Sequence, residues 1–512
     1  MYLVNAQQMR EMDRFAMEEI GIPSIVLMET AGQSVVQEVE KRYPKAKVLV
    51  VAGHGNNGGD AFVIARHLSN RGFAVKTWLV GSEERMTADA LTAYRSLIQS
   101  RFQVQKLSVG SWDSFCGDTR QAELIIDGVL GTGMRGPLRE EVEKVVKEIN
   151  SRKGLATILS VDIPSGVNAD NGEVATESVL ADLTVTFACP KWGHYLFPGA
   201  AHCGQLIVRD IGIPAWVGEE LQLSSRLLQS EEISRLIPAR VRHSHKGTYG
   251  HVLIISGSQS FVGAPGLAAL GAIRSGAGMV TLAIPKSIQP MVAGQVPEAV
   301  YWLWPETDGS LSKNSWKVLT ERKLAHDFTI VGPGIGKTSG VEWLEEVIRH
   351  TSGPLLLDAD AINLLARDLS IIKKRDSVIL TPHPGEMARL LGSSIQEVEK
   401  NRKHVAIEFA RKHQVYLLLK GTYPIIATPG GECFVSPRGS SSLAKGGSGD
   451  VLSGMIGSFV GQTGNILTGM QCALYVHGMA GEFMDEYSGG ASDLGKWIGR
   501  ALQALSQETV RK

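Results

Sequence analysis

Short apolar runs alternate with longer amphipathic stretches along most of the chain. The runs at residues 47–53, 74–80 and 183–188 are typical of strands buried on both faces. Stretches such as 5–19 and 60–71, with apolar residues at helical spacing, predict helices around and between them. Strands that alternate with helices indicate a parallel sheet covered by helices on both faces. Two more buried strands are predicted to end at Asp127 and Asp162, and two more helices are predicted at 24–42 and 87–99.

A second strand–helix series follows a looser connector at residues 221–245, in which we expect one short helix. It opens with a strand at 251–257 and a helix rich in glycine and alanine at 263–278. The pattern predicts two tandem three-layer α/β/α domains, at residues 1–222 and 223–512, the first of them Rossmann-like. Further strands of this series are predicted at 279–283, 328–331, 354–358, 377–381 and 415–420.

Composition narrows the class of protein. The chain has 512 residues, too many for one compact core, and its 43% hydrophobic and 20% charged residues are ordinary for a soluble globular enzyme. Lys+Arg and Asp+Glu both number 52, so the formal net charge is zero. This balance argues against nucleic acid and against a membrane surface as partners.

The five cysteines include no CxxC pair, which favours reduced thiols over a disulfide framework. The N-terminal residues lack the charged-then-apolar pattern of a signal peptide. No apolar run approaches the roughly 20 residues that span a bilayer. We therefore expect a cytoplasmic protein.

A glycine-rich turn, "GHGNNGGDAF", follows the first predicted strand. Gly58 and Gly59 allow main-chain N–H groups to approach a ligand, and the helix that follows offers its positive end to a phosphate. The side-chain amides of Asn56 and Asn57 suit a phosphate, an amide-bearing ring or a hard cation. The turn therefore marks a ligand site without choosing among these three.

Two further strand ends in the first half carry acidic residues. Asp127 begins "DGVLGTGMRGP", and Asp162 stands before Ser165 in "VDIPSGV". Together with an asparagine amide, these oxygens suit a site for a monovalent or hard cation, while one carboxylate is alternatively a proton carrier. A purely structural role as helix caps is the third reading. Three such motifs at one sheet edge favour a ligand pocket.

The clearest signal of the second half is "LAKGGSGDVLSG" at residues 443–454. Gly446, Gly447 and Gly449 precede an apolar helix, so unpaired N–H groups and the helix dipole meet where a phosphoryl group would bind. Asp450 cannot bind that anion, but it can accept a proton from a hydroxyl that is being phosphorylated. The alternative is an aspartate that only stabilises its own helix.

Other strand ends of the second half carry polar or glycine-rich groups. These are Lys420 with Gly421, His383 with Glu386, Asp358 with Asp360, the run "VGPGIG" at 331–336, and a small-residue helix start near Ala264. In the first half Cys189, His194, His202 and Cys203 lie close in sequence, but their spacing fits no standard zinc pattern and packing explains them better.

The motifs "LMETAG", "GNNGGDA", "DGVLGTGMRGP" and "VDIPSG" resemble, in order and spacing, the N-terminal domain of the YjeF family. These domains are NAD(P)HX epimerases, which interconvert the R and S forms of hydrated NADH and NADPH. The resemblance implies that Asn57, Asp127 and Ser165 bind K⁺ and that Asp162 contacts the nicotinamide end and transfers protons. The remaining hydrate-binding residues would be Asn56, Asn57, Gly58, Gly59, Asp60, Gly131, Thr132, Gly133, Met134, Arg135, Gly136 and Pro137.

The second half resembles the ribokinase-like fold, and more closely the YjeF C-terminal domain, an NAD(P)HX dehydratase. The resemblance is carried by "GPGIG", "DADAINLL", "TPHPGEMARLL", "KGTYPII" and "AKGGSGDVLSGMIG". It implies ADP as phosphoryl donor, Mg²⁺ on the nucleotide and Asp450 as base. Ala264, Gly334, His383 and Asp450 would hold the S hydrate. The nucleotide would contact Lys420, Gly421, Thr422, Tyr423, Pro424, Ser440, Ser441, Ser442, Leu443, Ala444, Lys445, Gly446, Gly447, Ser448 and Gly449.

The sequence thus predicts a bifunctional enzyme that epimerises hydrated nicotinamide cofactors and dehydrates the S form, with ADP giving AMP and phosphate. The family resemblance also implies a homo-oligomer, a tetramer or larger. Two alternatives stay open. A ribokinase-class kinase fused to a nucleotide-binding scaffold domain would accumulate a phosphorylated product, and a scaffold with dead sites would bind without turnover.

Overall fold

Seven strands of the first half form one parallel sheet in the order β3-β2-β1-β4-β5-β6-β7 in the computed structural model, which describes residues 1–321, 324–336 and 340–510. This sheet belongs to a compact unit, Met1–Leu223. The strands are β1 (Val48–Ala52), β2 (Val75–Leu79), β3 (Val104–Lys106), β4 (Leu124–Gly128), β5 (Thr157–Val161), β6 (Leu183–Phe187) and β7 (Gln205–Arg209).

Helices cover both faces of this sheet. Val48, Val50 and Ala52 of β1 join one apolar cluster, whereas Leu49 and Val51 join another, because successive side chains of a strand point to opposite faces. All five side chains are buried, so both faces of the sheet are covered. The unit therefore has three layers: helices, the sheet, and helices again. The helices are α1 (Ala6–Glu18), α2 (Ser24–Arg42), α3 (Asn56–Asn70), α4 (Ala88–Gln99), α5 (Trp112–Gln121), α6 (Glu140–Asn150) and α7 (Val217–Glu220).

The second unit, Ser224–Lys512, is built on a ten-stranded sheet in the order β11-β10-β9-β14-β15-β16-β17-β18-β19-β8. The pairs β17–β18 and β18–β19 are antiparallel, and the other pairs of this sheet are parallel. Its strands are β8 (Ser225–Leu227), β9 (His251–Ile255), β10 (Met279–Pro285), β11 (Val300–Trp304), β14 (Phe328–Val331), β15 (Leu355–Leu357), β16 (Val378–Leu380), β17 (Tyr416–Leu419), β18 (Ile425–Ala427) and β19 (Cys433–Val435), with a separate hairpin of β12 (Glu306–Thr307) and β13 (Ser310–Leu311).

Twelve described helices belong to the second unit. They are α8 (Ser230–Leu236), α9 (Gly263–Arg274), α10 (Gln289–Ala293), α11 (Val318–Glu321), α12 (Gly340–His350), α13 (Asp360–Leu365), α14 (Pro384–Leu391), α15 (Ile395–Lys400), α16 (Arg402–His413), α17 (Ser448–Thr463), α18 (Ile466–Phe483) and α19 (Leu494–Val510). None of the described helices is long and apolar enough to cross a membrane.

The predicted fold class, two tandem three-layer α/β/α arrangements, is confirmed, and each strand predicted from a buried apolar run is present. The prediction omitted β3, β7 and β11, which lie at sheet edges, and the hairpin of β12 and β13. It also omitted β18 and β19, which are buried but only three residues long, so a period-two pattern is too short to recognise in them. The prediction of a connector at 221–245 was wrong in part. Its segment β8 pairs in parallel with β19 and completes the second sheet.

The start of α3 also differs from the prediction, which placed it near Asp60. The helix begins four residues earlier, at Asn56. A Cβ atom on Gly58 would overlap the carbonyl of Gly53, and one on Gly59 would overlap the side chain of Met28. These glycines therefore let the first turn of α3 approach the end of β1 and helix α2 closely.

Helices α9 and α17 of the second unit pack with their backbones in close approach. A Cβ atom on Gly271 would overlap the carbonyl of Val451, and one on Gly454 would overlap the carbonyl of Ala268. Both overlaps are with main-chain atoms, which cannot rotate away. The position of the N-terminus of α17 therefore depends on small residues in both helices.

We predict that Gly454→Ala destabilises the second unit by about 1–3 kcal/mol, the usual cost of overpacking. Gly499→Ala is the matched control, because Gly499 lies in α19 with no described heavy atom within 4 Å of an added Cβ. Alanine there should be neutral or stabilising by up to about 1 kcal/mol, its helix-propensity advantage over glycine. Calorimetric unfolding of the two variants measures the difference, and equal stability would contradict this account of the helix contact.

Candidate active sites of the two units

The first candidate site lies at the carboxyl ends of β1, β4 and β5. Asp127, at the end of β4, is fully buried and accepts hydrogen bonds from the Ser160 hydroxyl at 2.8 Å, the Ser165 hydroxyl at 2.6 Å and the Ser165 N–H at 2.9 Å. Burial raises the pKa of Asp127, and these hydrogen bonds oppose the rise. No cationic side chain of the described residues pairs with this carboxyl group.

The side chain of Asn57 reaches the same place from the first turn of α3. Its Nδ2 donates to the Leu130 carbonyl at 2.8 Å. Its Oδ1 is buried, yet it has no hydrogen-bond partner among the described residues. Buried polar atoms without partners are rare, so this oxygen is a candidate ligand for a cation or a donor group. The three predicted K⁺ ligands, Asn57, Asp127 and Ser165, are thus brought to one edge of the sheet.

Asp162 follows β5 in a left-handed conformation, with φ +63°, which is unusual for a residue other than glycine. Its Oδ1 accepts hydrogen bonds from Lys191 Nζ at 2.5 Å and from Thr186 Oγ1 at 2.8 Å. Burial alone would raise the pKa of Asp162, but the Lys191 ammonium and these hydrogen bonds hold it below its ordinary value. Asp162 is therefore ionised at neutral pH.

Two more carboxyl groups face this ion pair. Asp60 lies in α3 and Asp13 in α1, and both line a cavity of about 710 Å³ together with Asp162 and Lys191. Burial and the neighbouring Asp162 and Asp13 carboxyl groups raise the pKa of Asp60 well above its ordinary value. Burial likewise raises the pKa of Asp13 to about 6, against the opposing charge of Lys191.

The cavity wall includes several of the predicted hydrate-binding residues: Asn56, Asn57, Asp60, Gly131, Thr132, Gly133, Met134 and Asp162. Other predicted residues, namely Gly58, Gly59, Arg135, Gly136 and Pro137, are not part of this wall. Sequence reasoning missed Asp13 and Lys191. Lys191 lies shortly after β6, so the strand-end rule points to it, whereas Asp13 lies mid-helix, where no such rule applies.

The two histidines that follow β6, His194 and His202, form hydrogen bonds with different partners. His194 accepts from the Lys191 N–H at 3.0 Å and lies 3.0 Å from the Asp162 carbonyl, while His202 contacts the Ser178 hydroxyl at 2.6 Å. Burial and the charge of Lys191 lower the pKa of His194 to about 3, so its ring is neutral. Across the described ranges, no three His, Cys, Asp or Glu side chains are grouped to hold a metal ion by themselves.

The second candidate site lies around the N-terminus of α17. Gly447 is the N-cap, with φ +91°, and Asp450 lies in the first turn. Burial, followed by the charge of Asp358, raises the pKa of Asp450 to about 7, while Lys420 opposes the rise. A carboxyl group with a pKa near neutrality can both take up and release a proton at the working pH.

Lys420, at the end of β17, pairs with Asp358, at the end of β15, at 2.8 Å. Ser453 of α17 donates to the other oxygen of Asp358 at 2.7 Å. Burial alone would raise the pKa of Asp358, but Lys420 lowers it below its ordinary value. A Cβ on Gly449 would lie 3.5 Å from Lys420 Nζ, so the ammonium group stands beside the start of the helix. The partner of the Lys420 ammonium group is thus the Asp358 carboxylate, and the sequence did not indicate this ion pair.

Three of the residues predicted to bind the hydrate in this unit lie at two places. Gly334 and Ala264 are neighbours, and His383 lies at the start of α14. Gly334 lies against Ala264, since a Cβ on Gly334 would be 3.0 Å from that of Ala264. His383 caps α14 and accepts the Gly385 N–H at 3.0 Å, with 51% of its side chain exposed. Glu386, three residues on, is buried, and burial raises its pKa to about 7.

The two predicted nucleotide segments, 420–424 and 440–449, are neighbours. A Cβ on Gly439 would lie 3.6 Å from the Thr422 carbonyl. The Ser448 hydroxyl donates to the Leu443 carbonyl at 2.7 Å, and the Ser442 hydroxyl donates to the Gly481 carbonyl at 2.6 Å. These bonds fix the glycine-rich loop that leads into α17. A second cavity of about 430 Å³ lies elsewhere, at the amino ends of β15 and β16.

Known proteins resemble the chain over both units. A family model described as "NAD(P)H-hydrate dehydratase" matches residues 252–503, and one described as "YjeF-related protein N-terminus" matches 24–193. A "Bifunctional NAD(P)H-hydrate repair enzyme Nnr" of Moorella thermoacetica is 38% identical over 99% of this chain and 98% of its own length. One from Escherichia coli is 32% identical over 94% of this chain and 89% of its own length.

Among solved structures, the "ADP/ATP-dependent NAD(P)H-hydrate dehydratase" of Bacillus subtilis, co-crystallised with ATP and Mg²⁺, is 32% identical to this chain. It covers 55% of this chain and 98% of its own, with a TM-score of 0.48. The two family models match the two halves of the chain, and the full-length relatives match both halves together. The chain belongs to the family of bifunctional NAD(P)H-hydrate repair enzymes, with an epimerase domain followed by a dehydratase domain.

Proposed function

We propose that residues 1–222 form the epimerase domain and bind the hydrated cofactor in the cavity of about 710 Å³. Asp162 is the proton-transfer group, because the Lys191 ammonium keeps it ionised at the cavity wall. The ring end of the hydrate lies near Asp162. The remaining contacts of the hydrate are with Asn56, Asn57, Gly58, Gly59, Asp60 and the loop formed by Gly131, Thr132, Gly133, Met134, Arg135, Gly136 and Pro137.

Asn57, Asp127 and Ser165 would hold K⁺ in this domain. The buried and unpartnered Oδ1 of Asn57, together with the Asp127 carboxyl group that lacks a described cationic partner, fits an oxygen-ligated cation. A K⁺ bound by these residues would supply positive charge to the site. The residues themselves fix the loop after β4, since Asn57 and Ser165 both hydrogen-bond Leu130.

Residues 223–512 form the dehydratase domain, in which Asp450 is the base. The observation that carries this assignment is a carboxyl group with a pKa of about 7 in the first turn of α17, behind a glycine-rich loop. Asp450 removes the proton of the ring hydroxyl of the S hydrate as that oxygen takes the β-phosphoryl group of ADP and AMP leaves. The phosphate then departs with its oxygen, a ring proton is lost, and the conjugated ring is restored.

The main-chain N–H groups of Gly446 to Gly449 stabilise the transferred phosphoryl group. The nucleotide lies along the adjacent segments 420–424 and 440–449. Ala264, Gly334 and His383 contact the hydrate. Mg²⁺ would arrive on the phosphates, where it neutralises charge, and the surrounding acidic groups Asp360, Glu386 and Asp450 fit a cation carried in this way.

We also propose ADP as the natural donor, a cytoplasmic location and a homo-oligomer of four or more chains. All five cysteines are free, as is usual in a reducing compartment. The assignment of the two activities to one chain has a chemical reason. The dehydratase takes one epimer, and the epimerase converts the other epimer into it.

A mixture of R and S hydrates of NADH, supplied with ADP, tests the pair of activities. We expect full recovery of absorbance near 340 nm, because the epimerase feeds the R form to the dehydratase. Recovery of only the S fraction, beyond the spontaneous epimerisation rate, would contradict the epimerase assignment. Accumulation of a phosphorylated hydrate would indicate a kinase instead.

Asp450→Asn should lower the dehydratase kcat about 10²–10⁴-fold, the range for loss of a general base. The wild-type rate should rise as the pH increases through about 7, because the base acts only when its proton is lost. The variant should lack this rise. Its epimerase activity is the internal control for folding, and an unchanged dehydratase rate would eliminate Asp450 as the base.

Replacement of K⁺ by tetramethylammonium should reduce epimerase activity. Ser165→Ala should raise the K⁺ concentration for half-maximal activity about tenfold, comparable to other losses at metal sites. Ser160→Ala is the matched control, because Ser160 donates to the same Asp127 but is not a proposed ligand. Equal effects of the two substitutions on the K⁺ dependence would argue against Ser165 as a ligand.

A further inference from the structure

The carboxyl group of Asp60 lies in the epimerase cavity. Binding of the hydrated cofactor does not by itself require an acid at this position. Asp60 lines the cavity with Asp13, Asp162 and Lys191. Its carboxyl group forms no ion pair with the described residues. An amide or a hydroxyl would serve a ligand contact as well, without the cost of placing a third carboxyl group in a confined space.

The Lys191 ammonium cannot neutralise Asp60 by direct contact. Its three N–H groups are taken by Asp162 Oδ1 at 2.5 Å, Thr186 Oγ1 at 2.9 Å and the Phe187 carbonyl at 3.2 Å. The Lys191 ammonium thus contacts one carboxylate, Asp162, and acts on Asp60 only from a distance, so no described cationic side chain forms an ion pair with Asp60. Burial without a directly bound cation favours the protonated form of a carboxyl group.

The environments of Asp60 and Asp162 separate their protonation states. Burial and the charges of Asp162 and Asp13 raise the pKa of Asp60, whereas Lys191 holds that of Asp162 below its ordinary value. Two acids of one cavity whose pKa values are pushed apart are the usual pattern of a general acid beside a general base. Of the two acids, Asp60 therefore holds its proton more tightly and Asp162 less tightly.

We propose that Asp60 is the general acid of the epimerase reaction and acts together with Asp162 as the base. This inference rests on the proposed epimerase function of the first unit. It gives Asp60 a proton-transfer role in addition to a binding role. Asp13, on α1, adds negative charge that keeps the proton on Asp60.

The chemistry requires both protonation states. Addition of water to the enamine bond of the ring places a hydroxyl on the carbon beside the ring nitrogen. Asp60 gives its proton to that hydroxyl oxygen, the C–O bond breaks, and water leaves with the bonding electrons. The nitrogen lone pair forms a C=N bond, so the ring carbon becomes planar.

Water then adds to the other face of this carbon. A new C–O bond forms, the C=N electrons return to nitrogen, and Asp162 takes the proton released by the water. Transfer of that proton from Asp162 to Asp60, directly or through water in the cavity, restores the starting state. No oxidant, reductant or nucleotide is consumed, and the product differs only in configuration.

Several charged or titratable groups line the same cavity as Asp60: Arg10 and Asp13 from α1, His54 before α3, Asp89 from α4, and Asp162 with Lys191 after β5 and β6. Because the reaction requires a proton on Asp60, the direction of the pH dependence of the epimerase rate follows. The epimerase rate should fall as the pH rises through the elevated pKa of Asp60. It should also fall at low pH, when Asp162 takes up a proton.

The test is Asp60→Asn, which keeps the size of the side chain and removes its proton-donating carboxyl group. We expect the epimerase kcat, measured on the R hydrate, to fall about 100-fold or more, the contribution of a general acid. The fall in rate at high pH should disappear from the residual activity. Asp60→Glu should recover part of the rate. Dehydratase activity on the S hydrate, in the same protein, should stay at the wild-type value.

Asp113→Asn is the matched control, since it makes the same substitution in the same unit at an exposed residue of α5 outside the cavity, and it should leave the epimerase rate within about twofold. Activity of Asp60→Asn within twofold of wild type would overturn the inference. A loss confined to KM, or a high-pH fall identical to that of wild type, would overturn it as well. Wild-type protein without epimerase activity would instead refute the proposed function itself.

Discussion

A lysine–aspartate pair at the carboxyl edge of each sheet is the constraint on which both candidate sites depend. Lys191 holds Asp162 at 2.5 Å in the first unit, and Lys420 holds Asp358 at 2.8 Å in the second. Removing one partner of such a pair would leave an uncompensated charge in a poorly solvated place. Each pair therefore fixes one ionised carboxylate at the point where strands end and ligands bind.

The pKa values of the remaining acids of each site are raised first by burial and then by neighbouring carboxylates, which these pairs do not fully neutralise. Because each ammonium is committed to one carboxylate, Asp60 in the first unit and Asp450 in the second lie in a field of net negative charge. Both have raised pKa values for the same two reasons, burial and neighbouring carboxylates. A fold that places several strand ends together thus raises the pKa values of both acids, and in our proposal the two domains use these acids for different reactions on one damaged cofactor.

Close backbone packing determines where these acids lie. Gly58 lets α3 begin against the end of β1, which carries Asn57 and Asp60 to the cavity. Gly271 and Gly454 let α9 and α17 approach each other, which places Asp450 near the ends of β15 and β17. Gly58, which the sequence suggested as a point of close approach to a ligand, is also a packing residue, because an added Cβ there overlaps main-chain atoms of Gly53.

The sequence by itself determined the architecture and most of the chemistry. Buried apolar runs predicted the central strands. Asp127 and Asp162 at strand ends predicted the first site, because parallel strands end at a common edge, and the glycine-rich turn before Asp450 predicted the second. Only the tertiary structure decided which charges meet. The pair of Lys420 with Asp358 was not predicted, and Asp13 joins the first cavity from a helix far away in sequence. Partners and pKa values depend on contacts between distant segments, and hydrophobic periodicity carries no information about them.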